Sequence, residues 1–408
     1  MGTILIRGAR QLLTMRGPKG PRRGHALDEL SIIPDGALLI RDGLLLEVGP
    51  TRRVENLALA CDAVEINAAG RVVMPGFVDS HTHLTFRLMG TGQGDDDDAA
   101  RLVRANTGQR LAAKARAYLE AMARHGTTTV EVKTGRGLDE SAETKVLRVL
   151  SVFRQDPVEV IPSFLFRLPG RGNGDSFLCE ATDWVTRDLL PKLRRRGGVQ
   201  FADVAWDSGP ERHQYFERYL QAARGLGFSC KIHADQLDPR TALAMAVDHP
   251  VVSIDHLEHA TAVDADILGP ADVIATLLPC ASFRDGRHAP ARALIDSGAA
   301  VALATNFNPH HTPTLNMQAA VAIACLRMEL TPAEALSAAT INGAHALGCA
   351  DRVGSLEPGK SADVLMLNVS DYRDLAHTLG TNVVHSTMKR GQLIYREGAV
   401  AHRSVTSP

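Results

Sequence analysis

His81 and His83 stand two apart at the end of an apolar run, RVVMPGFVDSHTH, over residues 71–83. Side chains alternate faces along a strand, so both imidazoles project to the same side. Two neutral imidazole nitrogens on one strand make half of a tetrahedral site for a borderline metal such as Zn(II). His233 closes a second run, GFSCKIHAD (227–235), and can supply a third nitrogen; His256 closes a third, VVSIDHLEH (251–259). His256 fits better as an electrostatic or acid/base group than as a fourth ligand, with Asp255 or Asp207 near enough in sequence to set its proton affinity. Any one of these histidines is explained as well by packing in a hydrogen-bonded core. Four of them at three strand ends are not.

Such residues need a frame that gathers strand ends. From residue 71 the chain alternates β-branched or aromatic runs with stretches of helical spacing, the pattern of βα units and a parallel sheet. Eight runs are present: 71–83, 127–133, 158–166, 199–207, 227–235, 251–259, 272–279 and 299–307. Eight parallel strands each followed by a helix close into a TIM (β/α)8 barrel, whose chemistry sits at the C-terminal strand ends. The segment 99–126 has helical spacing and stops at Gly126, with Asp95–Asp98 as the solvated loop and helix start before it. Thr331 and Glu334 form a capping-box pattern. Residues 1–70 and 351–408 read instead as short strands and turns, which predicts a small β-sandwich domain built from both chain ends around a barrel at 71–350.

Composition narrows the partners. The 408 residues carry 45 Lys plus Arg against 46 Asp plus Glu, a net charge of -1, which gives no basic field for nucleic acid or anionic membrane. No stretch approaches the roughly 20 apolar residues of a membrane span, and the start lacks a secretory apolar core. Six cysteines without a CxxC pair suit reduced thiols in the cytoplasm. A small-molecule substrate and a homodimer are the expected partners.

PGFVDSHTHL, TTTVEVKTGRGLDESAETKVLRVL, CKIHADQL, SIDHLEH, ATNFNP and LEPGKSADVLMLN occur in that order. Together they resemble the amidohydrolase superfamily and, within it, the imidazolonepropionases, over about residues 35 to 395. The resemblance implies a TIM barrel with a small β domain and one divalent metal ion, Zn(II) or Fe(II). It also implies hydrolysis of a cyclic amide C–N bond, imidazolone propionate to formiminoglutamate in histidine degradation. By motif position His81, His83 and His233 bind the metal, Gln236 contacts the substrate ring or water, and His256 polarises the carbonyl or stabilises the oxyanion.

Several positions depart from that pattern. Asn306 stands where the superfamily has the aspartate that ligates the metal and takes a proton from water. An amide oxygen can coordinate a metal, but an amide is no base at neutral pH. Arg136 replaces a tyrosine and Arg167 stands near a missing histidine. Arg87 is the nearest candidate for the family's carboxylate-binding arginine, and the three can form an altered anion clamp. His310 and His311 read as loop histidines. Lys133 ends the second run and is either carbamylated between two metals or ion-paired to Glu131 or Asp235; a single HxH pair favours one metal. Two alternatives follow from the same residues: a non-catalytic metal-binding relative that lost its base, and a heterocyclic-base deaminase.

Overall fold

A computed structural model describes residues 2–84, 101, 103–135, 139–154, 156–168, 174–206, 212–234, 239–309 and 312–398. Eight strands run parallel in sequence order: β6 (Phe77–Asp79), β7 (Thr127–Lys133), β8 (Glu159–Phe166), β9 (Phe201–Trp206), β10 (Ser229–Ala234), β11 (Ser253–His256), β12 (Ile274–Leu277) and β13 (Ala300–Leu303). Each lies within one of the runs expected from the sequence. β6 and β13 do not pair as strands, and the ring joins just beyond them. Thr82 and Phe307 form a parallel bridge, His83 N–H donates to Phe307 O at 2.7 Å, and Asn306 N–H donates to His81 O at 3.1 Å. The barrel therefore closes through the very residues that carry the candidate chemistry.

The eight other strands form one sheet from both chain ends: β1 (Ile4–Leu13), β2 (Ile32–Arg41), β3 (Leu44–Pro50), β4 (Val64–Asn67), β5 (Val72–Pro75), β14 (Val364–Leu367), β15 (Val384–Lys389) and β16 (Gln392–Arg396). Its order is β16-β15-β14-β5-β1-β2-β3, with β4 also on β1. The first half of β1 pairs with β4 and the second half with β5. Gly8, at φ 75, sits where the β1–β2 register shifts between Ile6 and Ala9, a backbone turn that glycine makes without strain. Ile6, Leu12, Leu38 and Ile40 then share one apolar cluster with Val73, Val364, Met366 and Met388, so strands from both chain ends bury a common core.

The run at 71–83 spans the junction of the two bodies. Val72–Pro75 belongs to the end sheet and Phe77 begins the barrel, with Gly76 between them. A Cβ on Gly76 would lie 2.2 Å from Thr128 Oγ1, so only glycine lets the chain cross there. Beside this crossing Lys389 on β15 reaches into the barrel base, donating to Glu159 Oε2 at 2.9 Å and Asp363 Oδ2 at 2.7 Å.

The helical stretch at 99–126 is divided. Thr107 accepts from Arg110 N–H at 3.3 Å and starts a helix at Gly108 that ends at Arg124, so a capping hydroxyl restarts the helix inside a continuous apolar period. Asp95–Asp98 lie outside the described residues. The Thr331–Glu334 capping box is present, and a second box, Thr261–Asp264, opens the helix after β11. No helix among the described residues is long and apolar enough to cross a membrane.

Candidate metal centre

Four imidazoles meet at the C-terminal mouth of the barrel. The rings of His81 and His233 lie 4.9 Å apart, those of His233 and His256 4.3 Å, and those of His81 and His256 5.3 Å. One ring nitrogen from each of these three falls within 4.8 Å of the others. His83 joins from the seam: its Nε2 is 3.3 Å from His81 Nε2. All four are buried. Burial, reinforced by the positive charge of Lys133, pushes His81 well below the usual imidazole range. Burial does the same to His233, with His256 and Arg167 adding to it. Both rings are therefore neutral near pH 7 and offer lone pairs, which is the state a metal ligand needs. The donor set fits a divalent metal.

Strand alternation alone does not build this site. Asp255 and His256 are neighbours, and strict pleating would send one of them out of the barrel. Both instead approach His81. The backbone leaves the extended region at His256 (φ 84) and Leu257 (φ 68), positions a bulky side chain rarely adopts. Asn306 has φ 53, a conformation asparagine tolerates better than most residues. The mouth is thus built partly from left-handed turns at strand ends.

Beneath the rings lies a fully buried ionic layer. Asp255 Oδ2 is 2.7 Å from His81 Nδ1 and 3.1 Å from Lys133 Nζ, while Ser253 Oγ donates to its other oxygen at 2.7 Å. Lys133 also bonds Asp203 and lies 3.2 Å from Glu131. Lys231, two before His233 on β10, donates to Glu131 at 2.8 Å and to Ser80 O at 3.2 Å. Burial works against the charge on Asp255, but Lys231 and Lys133 outweigh it and hold the carboxylate well below its ordinary range. Burial likewise opposes the Lys133 ammonium, and Asp203, Glu131 and Asp255 outweigh it, raising its pKa. A lysine held as ammonium by three carboxylates does not carbamylate. His81, Glu131 and Asp255 also cluster closely enough to hold an ion, but the two ammoniums already engage both carboxylates.

The model of the Amidohydrolase family matches residues 72–149 and 213–394. The chain belongs to the amidohydrolase family. An imidazolonepropionase of Solibacter usitatus is 35% identical over 98% of this chain and 100% of its own length. One of Symbiobacterium thermophilum is 37% identical over 98% and 99%. Among solved structures, a triazine hydrolase from Arthobacter aurescens superposes with TM-score 0.74 at 19% identity, covering 97% of this chain and 95% of that one. An E. coli guanine deaminase gives 0.70 at 18%, covering 97% and 99%. At those identities the two structures establish the amidohydrolase barrel and nothing of substrate.

Against the family motifs, His81, His83, His233 and His256 come together, and Asn306 is tied to His81 through its backbone. Arg167 follows β8, is half-buried, and acts electrostatically on His233. Gln236, Arg87, Arg136, His310, His311, Asp207 and Asp235 lie outside the described residues. Asp255 does not serve His256, as its place in sequence suggested: it faces inward to His81, and His256 Nδ1 pairs with Glu258 at 3.2 Å. Lys231 and Asp203 were not anticipated. Lys231 had a signal, since a residue two before an inward histidine on a strand also points inward. Asp203 had none beyond its place in a strand run.

Proposed function

We propose that this amidohydrolase opens the C–N bond of a cyclic amide, converting imidazolone propionate to formiminoglutamate, the reaction implied by the names of its relatives. The observation that carries the reading is the convergence of buried His81, His83 and His233 with His256 at one barrel mouth. In it, His81, His83 and His233 hold one divalent ion, Zn(II) or Fe(II), with the Asn306 amide oxygen as a further donor. When bound, that ion activates water near neutral pH and polarises the scissile carbonyl.

The chain's own residues do the rest. Glu258 anchors the Nδ1 side of His256, so its Nε2 side is the one turned to hydrogen-bond the oxyanion that develops on the carbonyl. Asn306 cannot take a proton, which leaves His256 as the titratable group for proton transfer. Arg167 supplies a cation at the rim for the propionate carboxylate, with Arg87 and Arg136 as its sequence-assigned companions and Gln236 at the ring. The reading places the protein in the cytoplasm, where six free thiols stay reduced, and takes it to be a homodimer.

The test is hydrolysis of imidazolone propionate, and of a panel of hydantoins and lactams, by metal-loaded protein. Ring opening without ammonia release supports the reading, ammonia release favours a deaminase, and no turnover on any substrate at full metal occupancy favours a non-catalytic relative.

A further inference from the structure

Three carboxylates and two ammoniums lie sealed beneath the histidines, all without solvent contact. They leave one net negative charge under the ring of four histidines. The carboxylate in contact with that ring is Asp255. We propose that Asp255 is the positioning residue of the metal centre: its Oδ2 accepts a hydrogen bond from Nδ1–H of His81 and so commits Nε2 of that ring to the metal. This rests on reading the four-histidine cluster as a metal site.

The geometry leaves Asp255 little freedom. Ser253 holds Oδ1 at 2.7 Å, Lys133 holds Oδ2 at 3.1 Å, and Lys231 stands 3.8 Å from Oδ2. β11 is fixed beside β10 in a register that sets Asp255 opposite His233 and Ser253 opposite Lys231. A carboxylate pinned at both oxygens cannot swing out to become a ligand itself. What it can do is accept one hydrogen bond from one ring N–H, and the partner it has is His81 Nδ1 at 2.7 Å. An ionised acceptor there selects the Nδ1–H tautomer, since the other tautomer would set a lone pair against a carboxylate. Nε2 of the same ring points to His83 Nε2, 3.3 Å away, where two ligand nitrogens converge. Asn306 brings no charge to the site, and Asp255, acting through His81, contributes negative charge that offsets a divalent ion.

Two measurements on the full-length protein test this. In metal-free wild type, nitrogen-15 NMR of labelled histidine is expected to find His81 protonated at Nδ1 and bare at Nε2; a proton on Nε2 overturns the proposal. Chelator competition with Zn(II) is expected to give Asp255→Asn an affinity about 10–100-fold below wild type while still reaching full stoichiometry at saturating metal. Ser253→Ala, which only loosens the carboxylate, should fall between the two. Unchanged affinity in Asp255→Asn overturns the proposal, and if that variant does not fold, the wild-type tautomer decides. Wild type that takes up no metal would sink the metal reading of the cluster yet leave the tautomer result standing.

Discussion

Thr305 grips the Asp79 carboxyl twice across the barrel seam, with its N–H at 3.0 Å and its hydroxyl at 2.6 Å. Burial pushes this carboxyl up to about 7 even so. Thr305→Val keeps the shape and removes the hydroxyl, leaving a buried oxygen short of a donor. The expected cost is about 1–3 kcal/mol in urea unfolding. Because Asn306 follows directly, metal affinity should fall with it. A variant as stable as wild type would show that the seam does not depend on this contact.

Lys389 ties the end sheet to the barrel base through Glu159 and Asp363, all three buried. Lys389→Met leaves two buried carboxylates facing an apolar chain, and is expected to destabilise by about 3–5 kcal/mol. Metal stoichiometry in the folded fraction should be unchanged, since the network lies at the opposite end of the barrel from the histidines. A loss below about 1 kcal/mol would mean that water reaches the carboxylates once the ammonium is gone.

His256 and Asn306 separate by kinetics. His256→Ala should lower kcat by about 10²–10⁴-fold, the usual range for a proton-transfer group. Asn306→Ala should lower it less than about tenfold, while costing about 1–2 kcal/mol of stability because alanine fits φ 53 poorly. Steady-state kinetics on imidazolone propionate decide it, and an Asn306→Ala defect as large as that of His256→Ala would return a central role to the amide.

His345, away from the metal site, gives a test by pH. Burial, with Lys360 behind it, pushes its pKa down from 6.5 to about 4. The unfolded chain therefore takes up this proton first as pH falls. The stability His345 contributes is fully present above 6.5 and is lost as pH drops toward about 4. His345→Gln lacks that slope, so the gap in unfolding free energy between wild type and variant should narrow across this window. A constant gap would mean that the imidazole is already solvated in the native state.

Much of this was legible from periodicity. The run at 127–133 is β7 residue for residue, because an unbroken β-branched run buried on both faces leaves little ambiguity of period. The other strands were trimmed by one to four residues at their ends, where pairing stops and turns take over. His81, His83, His233 and His256 were legible because a barrel exposes its chemistry at one end of every strand. The partner of Asp255 was not, because left-handed turns at His256 and Leu257 break the alternation on which a sequence reading relies. Nor was the split of the run at 71–83, since a two-residue change of sheet around Gly76 leaves the hydrophobic pattern continuous. Ion pairs among Glu131, Lys133, Asp203, Lys231 and Asp255 join four strands far apart in sequence, and only the closed barrel brings them together.

The forked sheet has a consequence in time. β1 leaves the ribosome before β5, on which it rests, and β5 pairs on its other side with β14, whose residues begin at Val364. At ordinary synthesis rates that partner arrives roughly 15–60 s later. Through that interval the edge of β5 stays bare while the barrel is still being made. The nascent chain therefore carries an open strand edge for most of its synthesis, and a chaperone or a second nascent copy has that long to find it.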